Sequence, residues 1–413
     1  MTEYSALEPG TKAYWQANLA LFFAGFVTFS TIYMFQPLFP DLVAEFGITP
    51  ATASLSLSFA TFALALTLPL SGVLSDAWGR RGIMIVAVVA ASLLALVSAC
   101  PLPLSLLLGV RLIQGLVLAG VPAVAMAYLN EEIEPRAIGS AMGLYIAGNA
   151  FGGMTGRILT VILADLWSWR MAVAAIGGLG LLLALLFAWL LPPSRNFQSQ
   201  RPLQLRSLTS SLLRHLRHPG LICLFLLAFC CMGGFVTLYN YVTFRLLGSE
   251  FNLQQSQVAL IFLAYAFGGC GSSVMGRLVD RFGRPSILFM SLAIMLSGLL
   301  LTLDQGLVLV ILGIVVFTIG FFGAHAICSA WVGVLAGEAR AQASSLYLFF
   351  YYLGSSISGT GGGYFYSSWG WHGVVTLIAG LIGVALLSGL RLVSVLPTAG
   401  AATLPKALPG NSR

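Results

Sequence analysis

The sequence predicts an all-α polytopic membrane protein: 12 transmembrane helices in two pseudo-symmetric six-helix bundles. Three observations carry this. Hydrophobic types make up 58% of the 413 residues and charged types 8%, with mean hydropathy +0.94, whereas a soluble domain carries roughly 25% charged residues. A water-soluble fold must cover its outside with polar side chains, so the medium around this chain is lipid. The chain also divides into apolar runs of about 20 residues, the length that crosses the hydrocarbon core of a bilayer. Finally, one polar motif occurs twice, 204 residues apart.

The apolar runs fall at about 17–38, 51–75, 83–101, 103–128, 137–163, 170–191, 219–244, 254–278, 286–303, 306–334, 341–366 and 371–392. Pro101 and Pro103 divide the third from the fourth. The organisation expected is a tail 1–16, a first bundle 17–192, a linker 193–218, a second bundle 219–393 and a polar tail 394–413. In the linker, Leu205, Leu208, Leu212, Leu213 and Leu216 fall on one side and Arg206, Arg214 and Arg217 on the other, the pattern of a short surface helix. The opening "MTEYSALEPGTKAYWQ" has no basic stretch before an apolar core, so no cleaved signal is expected. With the N-terminus in the cytoplasm, sixteen of the twenty Lys and Arg lie on the cytoplasmic side. Arg170 and Arg245 fall outside, and Arg111 and Arg157 within spans. The positive-inside rule therefore predicts both termini cytoplasmic.

The net charge of +7 is spread between apolar runs and forms no patch, which argues against a nucleic-acid partner. Cys100, Cys223, Cys230, Cys231, Cys270 and Cys328 lie in apolar runs without metal-ligand spacing and read as packing residues. The four histidines form no metal set, and no phosphate-binding loop occurs. Neither a metal nor a cofactor is expected, nor an enzyme.

The repeated motif is "SGVLSDAWGRRG" (71–82) and "MGRLVDRFGRPS" (275–286). It relates Gly72 to Gly276, Asp76 to Asp280, Gly79 to Gly283 and Arg80 to Arg284. A fainter echo, "GNAFGGMTG" (148–156) and "GSSISGTGG" (354–362), has an offset of 206. Both predict two homologous halves of parallel topology. Gly72 and Gly276 are expected to let a neighbouring helix approach closely. Asp76 and Asp280 stand just past helix ends, within reach of arginines such as Arg80, Arg81, Arg281 and Arg284. Such a cluster can hold one conformation and release another; a tight turn with positive-inside anchoring accounts for the same residues. Gly148, Gly152, Gly153 and Gly156 form one smooth helix face, either statically packed or a sliding surface at the outer gate.

"GVLSDAWGRR" resembles the cytoplasmic loop signature of the major facilitator superfamily, with a degenerate copy in "GRLVDRFGRP". "RLIQG" (111–115) resembles the arginine motif of its drug:proton antiporter branch. "GNAFGGMTGR" (148–157) is similar to the glycine-rich antiporter motif of span five, without the proline usual there. The resemblance covers essentially the whole chain. It implies a rocker-switch carrier with a cavity between the halves, gated by the loop signature, with Asp76 and Arg80 as the matched positions.

An arginine at mid-span costs about 2.5–3.5 kcal/mol. Arg111 and Arg157 are therefore candidates for substrate binding or proton coupling, with a structural hydrogen bond and interfacial snorkelling as the plainer readings. His325 is a candidate proton carrier or a hydrogen-bonded core histidine. Tyr33, Gln36, Gln114, Asn149, Tyr239, Asn240 and Tyr241 are candidates for a cavity wall. No Asp or Glu falls in the middle of any span. Asp41, at the outer mouth, is a candidate for coupling. A cavity whose only charge is positive suits a neutral, zwitterionic or anionic substrate. The function expected is proton-coupled efflux of small organic molecules by a monomer in the inner membrane. The alternative is an importer or facilitator of a small organic anion or metabolite.

Overall fold

The computed structural model describes residues 6–197, 212–337 and 340–395. Ten helical spans follow one another: Lys12–Phe46, Pro50–Gly72, Arg80–Ser98, Leu104–Glu132, Pro135–Leu166, Trp169–Leu190, Pro219–Leu247, Gln255–Phe282, Arg284–Leu301 and Leu307–Leu335. The last helix, Arg340–Val395, has 56 residues, about 84 Å at 1.5 Å per residue and far longer than a bilayer is thick. Non-helical backbone at Trp369 and at Gly370 (φ 57°) divides it into an eleventh and a twelfth span. Thr49, Ser168 and His218 cap the starts of the second, sixth and seventh spans with their side chains. Residues such as Val86, Trp189, Val308 and Leu387 stand outward and exposed, the apolar coat that lipid requires. The predicted linker helix lies mostly on 198–211, outside the described residues; residues 212–215 are helical, with Leu213 and Leu216 exposed.

Three spans are broken where the sequence predicts unbroken runs. The first helix stops at Tyr33, and the chain continues through a short turn of 3₁₀ helix, Gln36–Leu38, into Phe39–Phe46. Pro37 causes this, because it has no N–H to continue the helical bonding; Pro40 sits in the first turn of Phe39–Phe46, where the missing N–H costs nothing. The fourth span breaks between Leu118 and Pro122. The eighth begins as Gln255–Val258 and Ala259–Leu263, the latter 3₁₀, before the regular helix Ala264–Phe282.

Each repeat has its structural counterpart. Gly79 (φ 96°, ψ 142°) and Gly283 (φ 78°, ψ 157°) each end one helix and start the next with nearly the same backbone. Side chains are strained in that region, so glycine is required. In the first copy Arg80 pairs with Asp76 at 2.5 Å and with Glu131 at 2.7 Å. Arg81 donates to the carbonyls of Ala188 and Leu191 at the end of the sixth span. All these partners belong to the first six spans, so this corner ties its own bundle together. In the second copy Pro285 replaces Arg81's counterpart, and Asp280 and Arg284 form no ion pair among the described residues. The close helix approach expected at Gly72 and Gly276 is not made: a Cβ at either position would meet nothing within 4 Å. Gly72 and Gly276 themselves face open space in this conformation, and Asp76 and Asp280 lie within the last turns of their helices rather than past the ends.

The fainter echo is a helix crossing. A Cβ on Gly148, Gly152 or Gly156 would come within 2.4, 2.2 and 2.7 Å of the backbone of Phe22, Phe26 and Ser30 in the first span. Gly354 lies likewise on the backbone of Phe229 in the seventh span. The glycines let helix backbones touch inside each bundle; Gly153 instead faces Phe29 and the side chain of Arg157.

Arg111 joins three spans of the first bundle. It is 0% exposed. Its Nη atoms donate to the carbonyls of Thr31 (3.0 Å) and Ile32 (2.6 Å), and its Nε to Ser56 (2.7 Å). Thr31 and Ile32 occupy the last turn of the helix that Pro37 ends, where carbonyls lack helical donors. Gln114 accepts from Arg111 and donates to the carbonyl of Ala91. The charge therefore serves the broken helix.

Two outcomes follow for thermal unfolding in detergent. Gly152→Ala destabilises by at least ~2 kcal/mol, because a methyl group is forced onto backbone, while Gly143→Ala, with open space at its Cβ, is neutral or gains up to about 1 kcal/mol. Arg111→Met leaves the buried carbonyls of Thr31 and Ile32 without a donor and costs roughly 3 kcal/mol or more. Unchanged stability with lost transport would instead make Arg111 a ligand for substrate.

Candidate functional site

The two bundles meet along a polar seam. Ser54 and Ser58 of the second span bond Thr360 of the eleventh, at 3.4 and 2.8 Å, and Thr61 bonds Ser356 at 2.8 Å. Gly363 lies on the backbone of Ala51. Gln36 Nε2 donates to Asn240 Oδ1 at 2.8 Å, and Gln255 Nε2 donates to Asp41 at 2.8 Å. All these contacts lie in the halves of the spans away from the Gly79 and Gly283 corners. Among the described residues, the corner face has no hydrogen bond or ion pair between bundles.

Arg157 sits at the centre of the seam, 2% exposed. Its position on the fifth span follows Gly152 and Gly156, which bring that helix against the first. Its Nε donates to Gln36 Oε1 at 2.6 Å, and its Nη1 to the carbonyl of Gly153 at 2.6 Å. The guanidinium lies over Tyr33 (4.1 Å), and over Tyr265 (4.8 Å) and Phe262 (5.6 Å) of the other bundle. Such aromatic faces attract a cation. No carboxylate pairs with Arg157 or Arg111 among the described residues.

The second bundle supplies an aromatic wall beside this cation. Phe235 stacks on Phe321 at 3.9 Å and meets Tyr265 and Tyr239. His325 stacks with Phe321 and meets Tyr351 at a tilt, and its Nδ1 bonds Tyr347 Oη at 2.9 Å.

The sequence candidates thus separate. Arg157, Gln36, Asn240 and Tyr33 come together at the seam, and Asp41 sits farther along it. His325 lies on the wall of the second bundle. Tyr239 bonds Thr318, and Tyr241 bonds the carbonyl of Gly359, both within the second bundle. Arg111 and Gln114 are engaged inside the first bundle. Asn149 places its Oδ1 against Gly25 of the first span. Sequence reasoning missed Tyr265, Phe262, Tyr351 and Gln255, and the hydroxyl pairs of the second and eleventh spans; the only hint was the run "SLYLFFYYLG" (345–354). A separate apolar groove of about 430 Å³, lined by Thr67, Leu74, Trp78, Ile83 and Val117, lies within the first bundle and brings no charge to the site.

The chain matches the Major Facilitator Superfamily over residues 21–245 and 239–410. It is 47% identical to the MFS-type transporter YybF of Bacillus subtilis (strain 168), over 93% of this chain and 95% of that protein. It is 45% identical to the inner membrane transport protein YnfM of Escherichia coli (strain K12), over 94% of this chain and 92% of that one. Among solved structures, the nucleoside transporter NupG shares the fold with a TM-score of 0.74 at 14% identity, over 92% of this chain and 99% of that one. Twelve spans in two repeated halves, a polar seam between them and a family match along the chain's length lead to one conclusion: this protein belongs to the Major Facilitator Superfamily and is a multi-pass transporter of the secondary type.

Proposed function

We propose that the protein exports small organic molecules, neutral or anionic, in exchange for protons, as a monomer in a bacterial inner membrane with both termini cytoplasmic. The observation that carries this reading is the confinement of cross-bundle bonds to one face. If the arginine-rich loops are cytoplasmic, the closed face is the outer one, and the carrier stands ready to take solute from inside. The inner-membrane location rests on likeness to YnfM. The duplicated corners, with Asp76, Gly79, Arg80, Arg81, Asp280, Gly283 and Arg284, would hold the inner mouth in the opposite state.

Asp41 is the proposed coupling group. It is the acceptor of a bond that crosses the closed seam, so a proton arriving from outside removes acceptor capacity where the bundles must part. His325 with Tyr347 is the second candidate for carrying a proton. The alternative, import or facilitated passage of an organic anion, draws support from the unpaired charge of Arg157.

The test uses purified protein in vesicles, with a solute found by growing an overexpressing strain against a compound panel. An imposed pH gradient should drive uphill movement of that solute. Asp41→Asn should lose gradient-driven transport by about tenfold or more, as expected for a missing proton-transfer group, and keep solute-for-solute counterflow. Wild-type transport indifferent to the gradient would replace the exporter by a facilitator.

A further inference from the structure

We propose that Arg157 binds the carboxylate of the transported solute, and that the same contact unfastens the outer seam. A flat organic acid that takes the guanidinium displaces Gln36 and so releases the bond from Gln36 to Asn240. This rests on the carrier reading above and narrows its substrate class from neutral or anionic to anionic.

The guanidinium has five N–H donors. Arg111 spends its own on three backbone carbonyls and Gln114, all inside one bundle. Arg157 has two acceptors, the carbonyl of Gly153 on its own helix and the neutral amide oxygen of Gln36. A hydrogen bond to an ionised acceptor is roughly twice as strong as one between neutral groups, and a carboxylate matches the guanidinium with two parallel bonds. A solute carboxylate that takes the Nε–Nη2 edge of the guanidinium with two parallel bonds therefore displaces Gln36 Oε1 from Nε. The rings of Tyr33, Tyr265 and Phe262 hold the guanidinium by their faces, and Phe235, Phe321 and Tyr351 pack beside them as an apolar surround.

Gln36 is the relay. An arginine can only donate, so the Gln36 amide must turn its oxygen to Arg157 and its nitrogen to Asn240. That orientation is what makes the 2.8 Å bond across the bundles. Once a carboxylate holds Arg157, nothing fixes the amide in that sense. Binding at the cation and opening at the seam thus become one event, and a neutral or cationic solute does not trigger it.

The experiment is thermal unfolding of the full-length protein in detergent with sodium benzoate, benzamide or sodium chloride. Benzoate should raise the wild-type Tm saturably, by about 2–4 °C, and the amide and chloride should not. Arg157→Gln should lose the response. Gln36→Glu supplies an internal carboxylate and should raise the basal Tm while abolishing the benzoate response, which keeps the test decisive if Arg157→Gln fails to fold. Gln36→Ala removes the competitor and should lower the half-saturating benzoate concentration about fivefold, as for the loss of one hydrogen bond. An Arg157→Gln variant that responds like wild type, benzamide as effective as benzoate, or no wild-type response overturns the proposal. A benzoate response with transport indifferent to a pH gradient would remove proton coupling and leave this site standing. Gradient-driven transport with no benzoate response would do the reverse.

Discussion

A guanidinium buried among membrane-spanning helices, with no carboxylate paired to it among the described residues, is the constraint on which the structure turns. Desolvating such a charge is costly, and in the absence of an acid the protein must offer neutral acceptors and aromatic faces in quantity. Arg111 and Arg157 solve this in opposite ways. Arg111 finds its acceptors ready-made, because Pro37 ends the first helix and leaves the Thr31 and Ile32 carbonyls without helical donors. The break and the arginine therefore stabilise each other, and neither element is intelligible alone. Arg157 finds one side-chain acceptor, Gln36, whose other end belongs to the opposing bundle. The first arginine makes a bundle rigid, and the second couples two bundles.

The chemistry of the seam suits an interface that must open. Five side-chain bonds cross it, from Gln36, Ser54, Thr61, Asp41 and Ser58 to partners in the second half, and no ion pair does so among the described residues. A hydrogen bond exchanged for water contributes about 1 kcal/mol net, so five amount to roughly 5 kcal/mol. That is close to the roughly 5.5 kcal/mol that carries a two-state equilibrium from one side to the other. A solute or proton that alters one or two of these bonds can therefore redistribute the conformations. Buried ion pairs across the same surface would leave uncompensated charges on opening, at 3–5 kcal/mol for each broken pair. The ion pairs Arg80–Asp76, Arg80–Glu131 and Arg245–Glu250 all lie within single bundles, where they need not break.

The spans were legible in the sequence because lipid leaves a helix no alternative: backbone groups must bond internally, and apolar length follows from bilayer thickness. The duplicated corner was legible because the positive φ of Gly79 and Gly283 admits little but glycine. The glycine run 148–156 declared a helix crossing, though not which helix it met. The roles of the two arginines were not legible. Which one is saturated depends on where a neighbouring helix breaks, and which faces the seam depends on helix rotation; neither leaves a local signal. Tyr265 and Tyr351 look like any aromatic residue in an apolar run, and the seam hydroxyls like any serine or threonine bonded to its own helix. The open space at Gly72 and Gly276 belongs to a conformation, which a sequence compatible with several conformations does not specify.

The duplication also explains why the site is lopsided. Gln36 and Asn240 are separated by 204 residues, the offset that relates the two corners, so they are equivalent positions that bond each other where the halves meet. A residue at such a meeting point faces its own counterpart, and two amides can pair because each carries both donor and acceptor. Two arginines facing each other there would only repel. The position equivalent to Arg157 at the offset of the glycine echo is Gly363, where a Cβ would come within 2.4 Å of the Ala51 backbone. Packing excludes a second side chain, so one half brings the cation and the other brings Phe262 and Tyr265. A symmetric scaffold thereby places one cation between two halves that no longer present the same chemistry.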